Sequence, residues 1–88
     1  MADDIVYSIK KLIDDNSDVD TISEAIYDLP HRSFPMDYII QKIYIHACLR
    51  KRHEIAEWIL SEAEKHLDPI QWFAIRQMRS YGRYLLAK

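Results

Sequence analysis

The stretch Met36-Asp-Tyr-Ile-Ile-Gln-Lys-Ile-Tyr-Ile-His-Ala-Cys-Leu49 decides the fold. Within it Met36, Ile39, Ile40, Ile43, Tyr44, Ala47 and Cys48 keep the 3.6-residue period without a miss, which marks a helix buried along one stripe. Tyr38, Ile45 and Leu49 carry apolar surface beyond that stripe, so the helix is either covered on two sides or offers a second face to a partner. Immediately downstream comes the basic cluster Arg50-Lys51-Arg52-His53, and then Ile55, Ala56, Ile59, Leu60 and Ala63 on one face of a further helix. No glycine or proline separates the two. A single helix of about thirty residues would be roughly 45 Å long and would overrun a small core, which favours a tight turn at the basic cluster and a helical hairpin over 36–66.

Working outward, Asp3 or Asp4 can cap a first helix whose Ile5, Ile9, Leu12 and Ile13 share one face and which ends near Asp15. Asp14-Asp15-Asn16-Ser17-Asp18 reads as a loop, because such side chains compete with helix for backbone hydrogen bonds. Thr21-Ile-Ser-Glu24 fits a capping box, Ile22, Ala25, Ile26 and Leu29 give the following helix an apolar edge, and Pro30 stops it. Pro30 to Pro35 is the hinge the chain offers. At the other end Asp68 caps, Pro69 takes the first helical position, Gln71 closes the box and Leu67 is placed to staple onto Trp72. Ile70, Ala74, Met78 or Gln77, Tyr81 and Leu85 are expected to face inward, and Gly82 to loosen the last turns before the helix ends near Leu86.

No segment alternates with period two, so the expected fold is all-α: a compact bundle of about five helices in one domain, 1–88. It comprises acidic N-terminal helices over 4–29, the hairpin over 36–66 and a basic C-terminal helix over 69–86. With 49% apolar and 30% charged residues, the 88-residue chain belongs with globular domains, although one this small buries only about 60% of its unfolded surface and gains from a partner. Cys48 is alone and cannot form an internal disulfide. No apolar run approaches the ~18 residues of a membrane span, and Met1-Ala2-Asp3-Asp4 is acidic where a signal peptide is basic, which together give the expectation of a cytoplasmic protein.

Charge is divided. Residues 1–30 hold eight acids against Lys10 and Lys11, a balance of −6, while 31–88 hold ten basic groups against six acids, a balance of +4. From Ile70 onward there is no acid, only Arg76, Arg79, Arg83 and Lys88 among Trp72, Phe73, Tyr81 and Tyr84. The acidic segment therefore either lies across the basic helix within one molecule, meets it in another copy, or leaves it free for phosphates.

Ala47-Cys-Leu-Arg-Lys-Arg-His53-Glu-Ile55-Ala-Glu-Trp-Ile-Leu60 resembles the helix-turn-helix core of an ankyrin repeat, with a small residue closing the first helix and a Glu-Ile pair opening the second. The resemblance covers Met36 to about Ala63. It departs from the pattern in having Lys51 and Arg52 where the turn glycine belongs, in lacking the Thr-Pro-Leu-His opening, and in the short distance from Ala47 to a partial echo at Ala74. It implies stacked helix pairs that bind other proteins.

Little in the chain suggests catalysis. One glycine leaves no phosphate-cradling loop. The carboxylates at 14, 15, 18 and 20 suggest a calcium loop only faintly, because Val19 and Ala25 stand where an EF-hand needs glycine and glutamate. His53-Glu54-Ile55-Ala56-Glu57 lacks the second histidine of a zincin helix, and Cys48 sits on the most apolar stripe. No catalytic residue, metal ligand or cofactor is assigned. The expected function is a protein–protein interaction module acting as adaptor, regulator or inhibitor of a larger protein, a size and composition common among accessory proteins of viruses and phages. Its binding surface is expected at Tyr38, Ile45, Trp58, Trp72, Tyr81 and Tyr84 with Arg79 and Arg83, since aromatics and arginine carry most interface energy. A homodimer is expected too, with Asp3, Asp4, Asp14 and Asp15 meeting the partner copy's Arg76 and Arg83. The alternative is nucleic-acid binding through Arg76, Arg79 and Arg83, with further phosphate contacts from Arg50, Lys51 and Arg52. A pI near 6 counts against a dedicated nucleic-acid binder.

Overall fold

The structure is a computed structural model that describes residues 2–28, 36–66 and 69–87. Five helices account for nearly all of them: α1 (Ala2–Asp14), α2 (Val19–Tyr27), α3 (Met36–Leu49), α4 (His53–His66) and α5 (Pro69–Ala87), with no strand among the described residues. None is long and apolar enough to cross a membrane.

The sequence stripe on α3 is the centre of the core. Ile39, Ile40, Ile43, Tyr44, Ala47 and Cys48 are all buried, joined by Ile55, Ala56, Ile59 and Leu60 of α4, Val6, Ile9 and Ile13 of α1, Ile22 and Ile26 of α2, and Leu85 of α5. A helix packed this way needs neighbours on several sides, and α3 has three: α1, α4 and α5. The result is three layers. α1 and α2 pack on one side of the α3–α4 hairpin, α1 against α3 and α2 against α4, while α5 packs against both α3 and α4 from the other side and meets neither α1 nor α2 among the described residues. Neighbours on α3 confirm the two directions: Tyr38, Lys42 and His46 look toward α1, whereas Tyr44, 200° around the helix from His46 at 100° per residue, looks toward α5.

Both interhelical turns in the described part of the first four helices end in the same way. At α1 the Ser17 amide donates to the Leu12 carbonyl (3.1 Å) and the Asn16 amide to Ile13 (3.2 Å); at α3 the Arg52 amide donates to Ala47 (2.9 Å) and the Lys51 amide to Cys48 (3.1 Å). These are the paired bonds of a Schellman cap, and each requires a left-handed residue, Asn16 at φ 65° and Lys51 at φ 59°. The tight turn at the basic cluster is thus a helix end without glycine.

Four local expectations change. α2 begins at Val19, before the anticipated box, because Asp18 is its cap: the carboxylate accepts the Thr21 amide at 2.8 Å and Thr21 lies inside the first turn. α1 begins at Ala2, so Asp3 and Asp4 lie in its first turn, where they favour the positive end of the helix dipole, rather than capping it. On α5 the inward side runs through Met78, Gly82, Leu85 and Leu86, while Gln77 and Tyr81 are exposed. Gly82 loosens nothing. It is a buried helical position against which Tyr44 closes, and a Cβ there would lie 2.6 Å from Tyr44 Cζ, so the glycine lets α5 and the α3 ring approach. The hinge at Pro30–Pro35, the start signals at Leu67 and Asp68, and the side chains of Ile70, Trp72 and Ala74 lie outside the described residues.

Candidate interaction surface

The anticipated surface residues fall in separate places. Tyr38 is on the α1 side of α3, where its hydroxyl donates to Asp3 Oδ1 at 2.8 Å and Lys42 Nζ sits 5.6 Å from its ring centre. With Val6, Tyr7 and Lys10 these residues line an open groove of about 230 Å³. Ile45 is half-buried against the core. Trp58 is half-buried too, its ring 6.3 Å from that of Tyr27 in an edge-to-face pair that ties α4 to α2. Tyr81, Tyr84, Arg79 and Arg83 are all exposed on α5, but on two flanks: at 100° per residue Tyr81 lies about 160° around the helix from Arg79 and from Arg83.

The basic turn is taken up by internal contacts. Arg52 donates from its two terminal nitrogens to the carbonyls of Ile13 (2.9 Å) and Ser17 (2.8 Å) and from Nε to Glu54 (2.7 Å), so one guanidinium satisfies part-buried acceptors at the end of α1 and braces the α1–α2 loop. Arg50 pairs with Asp14 at 2.8 Å. Lys51 reaches across to the Leu85 carbonyl near the end of α5. A His46 ring N–H also donates to Asp14 at 2.8 Å, and that bond, with the charges of His46 and Arg50, holds the Asp14 carboxyl below the usual carboxylate range. Asp18 is lowered by the Thr21 amide and Glu54 by Arg52. Each acid in the 14–20 loop that looked faintly like a calcium ligand and carries a contact is therefore engaged in holding helices. Cys48 is buried, and burial pushes its thiol up; the Tyr44 phenol is likewise pushed up chiefly by burial.

α5 is different. Phe73 (61% exposed), Tyr81 (51%) and Tyr84 (57%) stand on its outer side, Tyr81 and Tyr84 with rings near-parallel and 6.4 Å apart. Arg76, Arg79 and Arg83 fall within about 60° of one another around the axis, are all exposed, and join no ion pair among the described residues. The acidic N-terminal helices do not cover them, because they lie beyond the α3–α4 layer. The sequence places the arginines and tyrosines on the binding surface and leaves Phe73 out of it, although its place opposite Gly82 on the helical wheel is the available signal. No family model, curated protein or solved structure matches this chain.

Proposed function

We propose that this protein is a small protein–protein interaction module, an adaptor, regulator or inhibitor working in the cytoplasm on a larger protein, and that it binds through the outer face of α5. The observation that carries this reading is that the exposed surface of α5 holds three aromatic rings and three arginines that join no ion pair among the described residues, and that the helix has no acid. Exposed aromatics beside arginine are the composition of interface hot spots. Photo-crosslinkers placed at Phe73 and Tyr84 are expected to give one discrete adduct with a host protein, lost when Arg76, Arg79 and Arg83 are reversed to glutamate. A crosslinker at Lys11, on the far layer, should not give it. Equal adducts from both faces would defeat the proposal.

The same arginines and stacked tyrosines support a second reading, binding of single-stranded nucleic acid by phosphate pairing and base stacking. Anisotropy titration with mixed DNA and RNA separates the two: binding tighter than about 1 μM near physiological salt, abolished by the triple reversal, would put nucleic acid first.

A further inference from the structure

The α5 arginines have a counterpart on the opposite layer. Asp20, Glu24 and Asp28 stand at i, i+4 and i+8 along α2 and its C-cap, all exposed, and none joins an ion pair among the described residues. At 100° per residue they centre on the side of α2 directly away from the buried pair Ile22 and Ile26. The Asp20–Asp28 ridge spans about 12 Å of helix and the Arg76–Arg83 ridge about 10.5 Å. Each carries three charges, of opposite sign. The molecule is thus charged oppositely on its two outer layers, and no described contact lets the two ridges meet within one chain.

We infer that a second copy of this chain docks its α2 carboxylate ridge, Asp20, Glu24 and Asp28, on the α5 arginine ridge, Arg76, Arg79 and Arg83. Because the ridges occupy opposite layers, a two-fold contact cannot join both pairs at once. The association is head-to-tail and propagates, leaving an unused ridge at each end. The α1 acids are poorer candidates for the same contact, since Asp14 already serves His46 and Arg50, Asp3 serves Tyr38, and Lys10 and Lys11 share the helix. This goes beyond the proposed function and concerns the same α5 face: a copy seated there excludes any other partner from it.

Charge pairs between exposed groups are individually weak and screened by salt, so the complex is expected to form at high protein concentration and low ionic strength. By sedimentation velocity at about 10 mM salt, where the screening length is roughly 30 Å, the average mass should climb steadily above the 10.5 kDa monomer with concentration and fall back to it near 0.5 M salt. Two charge-reversed variants carry the decisive test, Asp20→Lys/Glu24→Lys/Asp28→Lys and Arg76→Glu/Arg79→Glu/Arg83→Glu, each first checked for native helicity and melting temperature. Alone, each has two ridges of one sign and should be monomeric; mixed in equal amounts they should associate again. Wild-type protein that is monomeric up to about 1 mM at low salt would overturn the inference, while leaving α5 crosslinking to a foreign protein untouched. A dimer that ignores salt and survives both reversals would overturn it in favour of a different interface, and salt-sensitive binding of the arginine face to nucleic acid with no self-association would overturn it in favour of that ligand.

Discussion

The two sides of α3 are held by different physics. Toward α1 the buried Val6, Ile9 and Ile13 are flanked by polar contacts near the surface: Tyr38 to Asp3, His46 and Arg50 to Asp14, and, from the turn, Arg52 to the Ile13 and Ser17 carbonyls. Toward α5 the contact is one of shape, a fully buried Tyr44 ring seated where Gly82 has no side chain, with Leu85 beside it and a single Lys51 bond to the Leu85 carbonyl. The difference bears on function. Of the α1 acids Asp14 is paired with His46 and Arg50 and Asp3 is bonded by the Tyr38 hydroxyl, so α1 has limited charge to offer a partner. α5 is anchored by its apolar side and the one Lys51 bond, and its arginines join no ion pair among the described residues.

The largest effect is expected from the residue the two sides share. Ile43 is fully buried at the middle of the stripe, and Ile43→Ala should cost about 2 to 4 kcal/mol, read as a fall in melting temperature of roughly 10 °C or more for a domain of this size. Melting within a degree or two of the parent would show that α3 is not central, and the comparison between its sides would lose its frame.

Gly82→Ala comes next and separates the sides. In an open helix the change would stabilise by up to about 1 kcal/mol, but here the added methyl meets the end of a ring that is 1% exposed and cannot swing away. A net loss of about 1 to 3 kcal/mol is expected, partly restored by adding Tyr44→Phe, which removes the hydroxyl the methyl meets first. If Gly82→Ala stabilises the protein, the shape contact is not what holds α5.

How far these features were legible in the sequence follows from their range. The α3 stripe, the α4 face and the turn at Arg50–Arg52 are local patterns, and periodicity found them. The capping of α2 by Asp18 rather than Thr21 was a choice between two local signals three residues apart, decided by the amide that Asp18 reaches. On α5 the apolar residues admit two adjacent stripes, one through Tyr81 and one through Gly82. Only the ring arriving from α3 selects the second, and that ring is 38 positions away in sequence. The functional surface was harder still. Tyr38, Ile45 and Trp58 are apolar at positions that look exposed on their own helices, and α1, α2 and the core engage them from elsewhere in the chain. The roles of Arg50 and Arg52 in holding α1 were hidden for the same reason.

The smallest effect, and the one that resolves the two sides most cleanly, is the dependence of stability on pH. On the α1–α2 side the shifted acids are Asp14, Asp18 and Glu54, each lowered below its ordinary value of 3.8, 3.8 or 4.5 by a hydrogen bond that favours the carboxylate. A lowered pKa in the folded state means the unfolded chain takes up protons first, so this contribution is complete above about pH 5 and is lost as pH falls through the acid range. On the α5 side Tyr44 and Cys48 are raised from 10.0 and 9.0 by burial. There the unfolded chain releases its protons first, so stability is complete below about pH 8 and is lost as pH rises past the ordinary thiol and phenol values. Tyr27 and Tyr38 are raised as well, by hydrogen bonds to Glu62 and Asp3, but both are exposed and the surrounding water screens them. Melting temperature measured from pH 3 to 11 should therefore fall at both ends for separate reasons. Asp14→Asn should flatten the acid fall and leave the alkaline one alone, Tyr44→Phe should do the reverse, and Tyr38→Phe should change the alkaline side less than Tyr44→Phe does. If Tyr44→Phe leaves the alkaline fall unchanged, the phenol is not sealed between α3 and α5, and the contrast between a polar side and a shape-fitted side fails where it is sharpest.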